Sequence, residues 1–111
     1  MDDCKVYELV KQIPSGSVST YKEVAKAVGK PRSARPVGKI LSKNPDLIKT
    51  PCHRVVHSDG RVGGYACGVS EKTRLLKSEG VRIENGRIVE FPKKLFKEFH
   101  APNSGGTQYS R

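Results

Sequence analysis

The sequence predicts a mainly α domain with a small β component: a winged-helix-like helix-turn-helix arrangement followed by a C-terminal β-hairpin. Three observations predict it. Apolar residues recur at spacings of three and four through the first half of the chain. Two short helical patterns flank a Gly29/Pro31 break. Near the end, Asn85-Gly86 separates two alternating segments, which is the strongest short-range hairpin signal.

The elements follow in order. In "KVYELVKQI" (5–13), Val6, Tyr7, Leu9, Val10 and Ile13 define one face of an amphipathic helix, with Cys4 near its start and "PSGS" as its stop. Thr20 followed three residues later by Glu23 is a capping box, and Gly29 is a natural C-terminal cap. Val24, Ala25 and Val28 face inward between them. A second short helix is expected from about Ser33 to Ser42. Residues 44–50 read as a turn, "CHRVV" as a short buried strand or a tight turn into one, and 57–68 as a glycine-rich loop. "SEKTRLLKSEG" reads as a further helix with Ser70 at its N-cap, Leu75 and Leu76 inward and Gly80 closing it.

At 111 residues the chain suits one domain with a modest core. Residues 1–92 are assigned to it, with the helix-turn-helix at about 20–43. Residues 93–111, basic and then small and polar, read as a flexible tail. No stretch of transmembrane length and no apolar block behind a basic start are visible, so neither a membrane partner nor secretion is expected. Three cysteines argue against a disulfide framework and fit a reducing, intracellular setting, cytoplasmic (nucleoid-associated) or nuclear.

Charge narrows the partner. Lys and Arg number 21 against 11 acids, a formal +10, which suits a polyanion. On the second helix, Arg35, Lys39 and Lys43 fall four apart on one stripe, with Arg32 just upstream, while Val37, Ile40 and Leu41 form the opposite, core-facing stripe. No acid interrupts the run from Arg32 to Lys43, where an ordinary surface helix mixes both signs. Ala34 and Gly38 make a flat patch through which a backbone could approach closely, and Pro36 is tolerable because it falls in the first turn. Together these favour a nucleic-acid face.

The stretch "TPCHRVV" (50–56) carries the candidate chemistry. Cys52, His53, His57 and Cys67 supply zinc donors, but adjacent ligands fit one tetrahedral ion badly and no C-x-x-C pair is present. A cysteine hydrolase needs an orienting group on a larger scaffold and a local signature that is missing. Simple burial suits a lone cysteine. Cys52, however, has basic neighbours, and these favour the nucleophilic thiolate.

"VSTYKEVAKAVG", "ARPVG", "NPDLIKTPCHRVV", "GRVGGYACG" and "LLKSEGV", in this order, closely resemble the C-terminal domain of the O6-alkylguanine-DNA alkyltransferases. The likeness runs from about Ile13 to Val81. It implies DNA repair by direct, irreversible, single-turnover transfer of an alkyl group from guanine O6 in duplex DNA to a cysteine, without cofactor or metal. It also implies minor-groove binding by the second helix and flipping of the damaged nucleotide, by a monomer whose cooperativity on DNA is open.

Position by position, the resemblance implies that Cys52 is the alkyl acceptor, that His53 takes the thiol proton through a water, and that Glu79 orients His53. Asn44 matches the hinge asparagine that braces the turn. Tyr21 matches the tyrosine beside the flipped base, able to protonate the leaving guanine. Arg35 matches the wedge that fills the gap in the stack, and flipping costs roughly a few kcal/mol. Tyr65 lines the alkyl pocket, and backbone at Cys52, Val55 and Ala66 contacts the guanine edge. Ala34, Gly38, Lys39, Arg32 and Lys43 complete the DNA face.

Three departures stand out. The N-terminal domain of many members has no counterpart, Pro36 replaces a common alanine, and Cys67 stands where glycine or an aromatic is common, leaving alkyl-size preference and oxidation with Cys52 open. Non-catalytic alkyltransferase-like proteins, which flag lesions and usually carry tryptophan at the cysteine position, are the alternative. A transcriptional regulator would leave His53 and Glu79 unused, and a membrane-surface protein would need exposed apolar bulk on a basic helix.

Overall fold

A computed structural model describes residues 3–44, 46, 49–65 and 68–100. Helices α1 (Asp3–Val10), α2 (Tyr21–Ala27), α3 (Ala34–Ser42), α4 (Val69–Ser78) and α5 (Phe91–Lys94) alternate with strands β1 (Ser19–Thr20), β2 (Val55–Val56), β3 (Ile83–Glu84) and β4 (Arg87–Ile88). The architecture is mainly helical with small strands, as the sequence predicts.

Helix α1 buries Val6, Leu9 and Val10. It ends earlier than the apolar pattern suggests, because Pro14 prevents continuation and the last turn tightens into Gln12→Leu9 and Ile13→Val10 bonds. Ile13 is still buried. At α2, Thr20 Oγ1 accepts the Glu23 N–H at 2.9 Å. The expected capping box is half formed, since the Glu23 carboxylate lies 3.7 Å from Lys26 instead. Around Gly29 the chain closes with Lys30→Ala25 and Gly29→Lys26 bonds, both 2.9 Å.

Helix α3 starts after Ser33, and its first bond runs from Val37 N–H to Ser33 C=O at 3.1 Å. Pro36 therefore precedes the first residue that must donate, and its missing N–H costs nothing. Val37, Ile40 and Leu41 are buried against α1 and α2, and each such side chain contributes about 1.5–3 kcal/mol.

Cys52–Arg54 form one 3₁₀ turn that leads into β2, so the turn and strand readings of "CHRVV" are both realised. β2 pairs in parallel with β1, Ser19 opposite Val55 and Thr20 opposite Val56. Successive strand residues point to opposite faces. Val55 accordingly joins the α1–α3 core, and Val56 joins a second core of Val18, Val62, Leu76, Val81 and Ile88. The cysteine turn is thus seated at the junction of two cores, against the start of the helix-turn-helix.

Three expectations need correction. Helix α4 begins at Val69 with Gly68, not Ser70, at its N-cap, because Gly68 C=O accepts the Lys72 N–H at 3.1 Å and closes the first turn. Leu75 is only half-buried, whereas Lys72 and Leu76 are fully buried one turn apart. Residues 93–100, assigned to a flexible tail, are docked: Val18 and Leu95 form a parallel bridge, and Phe96 and Phe99 pack on the first core. Gln12 exchanges two bonds with the His100 backbone, at 3.1 and 2.7 Å. The apolar residues scattered among the lysines drive this docking. Residues 101–111 lie outside the described residues.

The hairpin pairs Ile83 with Ile88 and Glu84 with Arg87. Asn85 and Gly86 both have positive φ, 53° and 75°, as a type I′ turn requires. Among the described residues no helix is long and apolar enough to cross a membrane.

Candidate active site and nucleic-acid interface

Cys52 is buried at 5% exposure, and its side chain faces a cavity of about 210 Å³ lined by Tyr21, Gly38, Leu41, Gly64 and Tyr65. Asn44, four residues beyond the buried Ile40 and itself buried, sets the turn. Its Nδ2 donates to Thr50 C=O at 2.9 Å and to Cys52 Sγ at 2.7 Å, while its Oδ1 accepts from Asp46 N–H at 3.0 Å. The turn that presents the thiol is therefore pinned by one side chain from the end of α3. Burial pushes the thiol pKa up; the Asn44 bond, the Cys52 N–H and the Lys72 charge oppose this without reversing it.

Behind the thiol, His53 Nε2 lies 2.9 Å from Glu79 Oε2. Burial lowers the His53 pKa, only partly countered by Glu79. For Glu79, burial alone would raise the carboxyl, but hydrogen bonds from Arg54 and His53 outweigh it and hold the group below the usual range. An ionised carboxylate can only accept, so the neutral imidazole donates its Nε2–H and keeps Nδ1 as an acceptor. Among the described residues, the buried Nδ1 has no hydrogen-bond partner. Arg54 completes the group. Its Nε and Nη2 grip both Glu79 oxygens at 3.0 and 2.7 Å, and its Nη1 donates to Ile13 C=O at 2.8 Å.

Lys72, like the Arg54 clamp, is a residue that the sequence reading missed. Its side chain is 0% exposed, and Nζ donates to Val55 C=O at 2.7 Å, Gly64 C=O at 2.9 Å and Tyr21 Oη at 3.4 Å. Three acceptors match the three N–H groups of an ammonium. Burial nonetheless lowers its pKa to about 7. Its position four residues before Leu76 on the inward stripe of α4 was the available signal. Burial also raises the Tyr21 phenol pKa, so that group stays protonated.

The structure brings Cys52, Asn44, Tyr21, Gly38 and Tyr65 together around the cavity, with His53 and Glu79 linked behind it. The ring of His53 meets Tyr65 edge-on at 6.3 Å. Val55 backbone is engaged on both sides, its N–H to Cys52 C=O and its C=O to Lys72, although a carbonyl retains a second lone pair. Arg32, Arg35, Lys39 and Lys43 are all exposed, and Ala34 and Gly38 are half-buried beside them. Arg35 lines a groove next to the cavity; Arg32, Lys39 and Lys43 line neither space. The expectations on Ala66 and Cys67 lie outside the described residues.

A helix-turn-helix whose second helix is basic and exposed, with a braced, buried thiol opening beside it, is the arrangement of a DNA-binding domain with a cavity-facing cysteine. Comparison with known proteins identifies which one. The family model for the 6-O-methylguanine DNA methyltransferase DNA-binding domain matches residues 3–81, and the chain belongs to that family. The methylated-DNA–protein-cysteine methyltransferase of Methanothermobacter thermautotrophicus is 52% identical over 81 residues, covering 72% of this chain and 44% of that protein. Among solved structures, Schizosaccharomyces pombe Atl1 in complex with damaged DNA containing O6-carboxymethylguanine superposes with a TM-score of 0.77 at 34% identity. That match covers 86% of this chain and 94% of Atl1. The O6-methylguanine-DNA methyltransferase of Pyrococcus kodakaraensis superposes at 0.64 with 49% identity, covering 71% and 46%. The chain spans 28 to 44% of the length of the first curated relatives it matches.

Proposed function

We propose that this domain repairs O6-alkylguanine in duplex DNA by taking the alkyl group, once and irreversibly, onto Sγ of Cys52. The observation that carries this reading is the buried thiol, braced by Asn44 and facing a cavity between Tyr21 and the basic helix α3. A base inside a duplex cannot reach a thiol there, so the nucleotide must turn out of the stack into the cavity. Arg35, exposed at the start of α3 and lining the adjoining groove, is suited to fill the gap it leaves.

The step balances within these residues. The S–C bond forms as the C–O6 bond breaks, and the thiol proton passes through one water to Nδ1 of His53, the acceptor left free by the Glu79 bond. The leaving guanine takes a proton from Tyr21, and the phenolate left beside the Lys72 ammonium regains one from water as the His53 imidazolium releases the thiol proton. Lys72 donates to the Tyr21 oxygen from one side, which leaves the phenolic hydrogen free to point into the cavity. Arg54 holds Glu79 ionised and in place. Most of the affinity would come from phosphate contacts of the α3 lysines and arginines, giving weak sequence preference and strong salt dependence. That suits repair in any sequence context.

The likeness to Atl1 over nearly all of that chain supports a second reading, lesion recognition without transfer. One experiment separates the two. Lesion-bearing duplex should add one methyl, stoichiometrically, to the Cys52 peptide, read by mass spectrometry. Tight lesion binding with no mass change, and full function of Cys52→Ala in cells, would select lesion flagging.

A further inference from the structure

The C-terminal end of α3 is wound more tightly than the helix before it. Lys43 N–H donates to Ile40 C=O and Asn44 N–H to Leu41 C=O, both at 3.1 Å, three residues back instead of four. A helix that ends leaves its last carbonyls short of backbone donors. Here three of them receive side chains. Ser42 Oγ donates to Lys39 C=O at 2.7 Å, Tyr7 Oη to Ile40 C=O at 3.0 Å, and Cys52 Sγ to Leu41 C=O at 3.7 Å. Ser42 belongs to the helix itself and Cys52 to the site. Tyr7 comes from α1, thirty-three residues before its acceptor.

An α-helical ending would hand the Asn44 N–H to Ile40 C=O. Lys43 N–H and the Tyr7 hydroxyl already occupy both lone pairs of that oxygen, so the Asn44 N–H closes on Leu41 instead. A 3₁₀ step turns about 120° per residue and an α step about 100°, so the choice swings the Asn44 side chain. In the direction it takes, Nδ2 reaches Thr50 C=O and Cys52 Sγ at 2.9 and 2.7 Å. Tyr7 is half-buried against the first core. Burial, with Asp3 and Cys52 nearby, pushes its phenol above the usual range, so the hydroxyl stays a donor at neutral pH.

We propose that Tyr7 is a positioning residue for the thiol: by taking the Ile40 carbonyl it fixes the 3₁₀ end of α3, and through that end the angle at which Asn44 holds Cys52. The proposal rests on the reading of Cys52 as the alkyl acceptor, although its test needs no DNA. Helix α1 lines neither the thiol cavity nor the groove beside it, and Tyr7 is its link to the chemistry.

The test is a double-mutant cycle on Tyr7→Phe and Asn44→Ala, read by alkylation of Cys52 with iodoacetamide against pH. Phenylalanine keeps the ring in the core and removes only the hydroxyl. Since the Asn44 bond lowers the thiol pKa against burial, Tyr7→Phe should move the alkylation midpoint upward. At fixed neutral pH the rate should fall about threefold, within the worth of one neutral hydrogen bond. In the Asn44→Ala background the same substitution should change nothing, because the route to the thiol is already cut. Additive effects would overturn the proposal, as would a Tyr7→Phe protein with the wild-type midpoint.

The titratable neighbours of the thiol, Tyr21 from α2, Lys72 from α4 and His53 in its own turn, are kept in every variant. The lost phenol could only have pushed the thiol up, so an upward shift cannot come from charge. Val10→Ala, in the same core from the same helix, controls for packing: it should lower stability to urea and leave the midpoint in place. A midpoint shifted equally in Val10→Ala would reduce Tyr7 to a packing role and overturn the proposal. Methyl transfer from a lesion duplex to wild-type Cys52 is read in parallel. Its absence, with the coupling between Tyr7 and Asn44 intact, would strike the alkyl-transfer reading and leave the positioning of the thiol standing.

Discussion

Nε2 of His53 lies 2.9 Å from Oε2 of Glu79, twenty-six residues away in sequence, while the other, buried nitrogen of the ring has no partner among the described residues. Adjacent as they are in the chain, Cys52 and His53 are placed by different partners. The thiol is held by Asn44 from the end of α3, and the imidazole by a carboxylate at the end of α4. The site is therefore a joint between two elements, and each half can be perturbed alone.

Glu79→Gln should slow alkyl transfer by about 10- to 100-fold, within the range for general-base assistance. Both influences of Glu79 on His53 raise its basicity, so their loss makes an already weakened base weaker. DNA affinity should hold, because Glu79 faces His53 and Arg54 and not the basic helix face. Single-turnover rates and binding isotherms on one lesion duplex check both halves of this expectation.

Asn44→Ala removes the donor to Sγ and leaves Thr50 C=O without its side-chain partner. Thr50 C=O keeps the Cys52 N–H at 2.8 Å, so unfolding in urea should show a loss of about 0.5–1.5 kcal/mol for each hydrogen bond removed. The Asn44 bond lowers the thiol pKa against burial, so its removal should raise that pKa further. Alkylation of Cys52 by a small neutral reagent, followed against pH, should shift its midpoint upward.

Lys72→Met tests the buried ammonium. With its folded pKa near 7 and an unfolded value of about 10.4, Lys72 binds more protons in the unfolded chain throughout that window. Its contribution to stability therefore rises as pH climbs from about 7 towards about 10. The Cys52 and Tyr21 shifts act in the opposite sense at alkaline pH, but both residues are present in each protein. The quantity to follow is thus the stability difference, wild type minus Lys72→Met, which should increase with pH. A flat difference would show that the three acceptors around Nζ hold the charged form fully.

Arg35→Ala should reduce transfer from duplex DNA by about 10-fold or more while raising the dissociation constant by no more than about threefold. One lost phosphate-range charge weakens binding modestly, whereas a lost wedge acts on flipping. A base analogue whose fluorescence reports unstacking, placed at the lesion, should read the difference directly. Equal losses in binding and transfer would contradict the wedge role.

Much of the fold was legible because it is local. Thr20 caps α2, Gly29 closes it, Asn85-Gly86 turns the hairpin, and the α3 stripe separates base from core within one helix. The start of α4 was misplaced because Gly68 competes with Ser70, and only the loop geometry before it chooses between them. The docked segment 93–100 was hidden by its lysines, since Leu95, Phe96 and Phe99 carry no helical or strand period of their own.

By itself the sequence determined the family-bearing motifs, the helix-turn-helix, the basic face and the Pro-Cys-His-Arg turn, all of which are encoded by residue type and short spacing. Tertiary structure alone decided the rest. Lys72 is inside the protein because Val55, Gly64 and Tyr21, up to fifty-one residues away, converge on its ammonium. Arg54 clamps Glu79 because β2 and the end of α4 meet there. His57 is a held ring and not a loose loop residue because Gly63 and Tyr21 close on it from two sides. Long-range contacts of this kind depend on burial and on the chain closing over itself, and no local pattern records them.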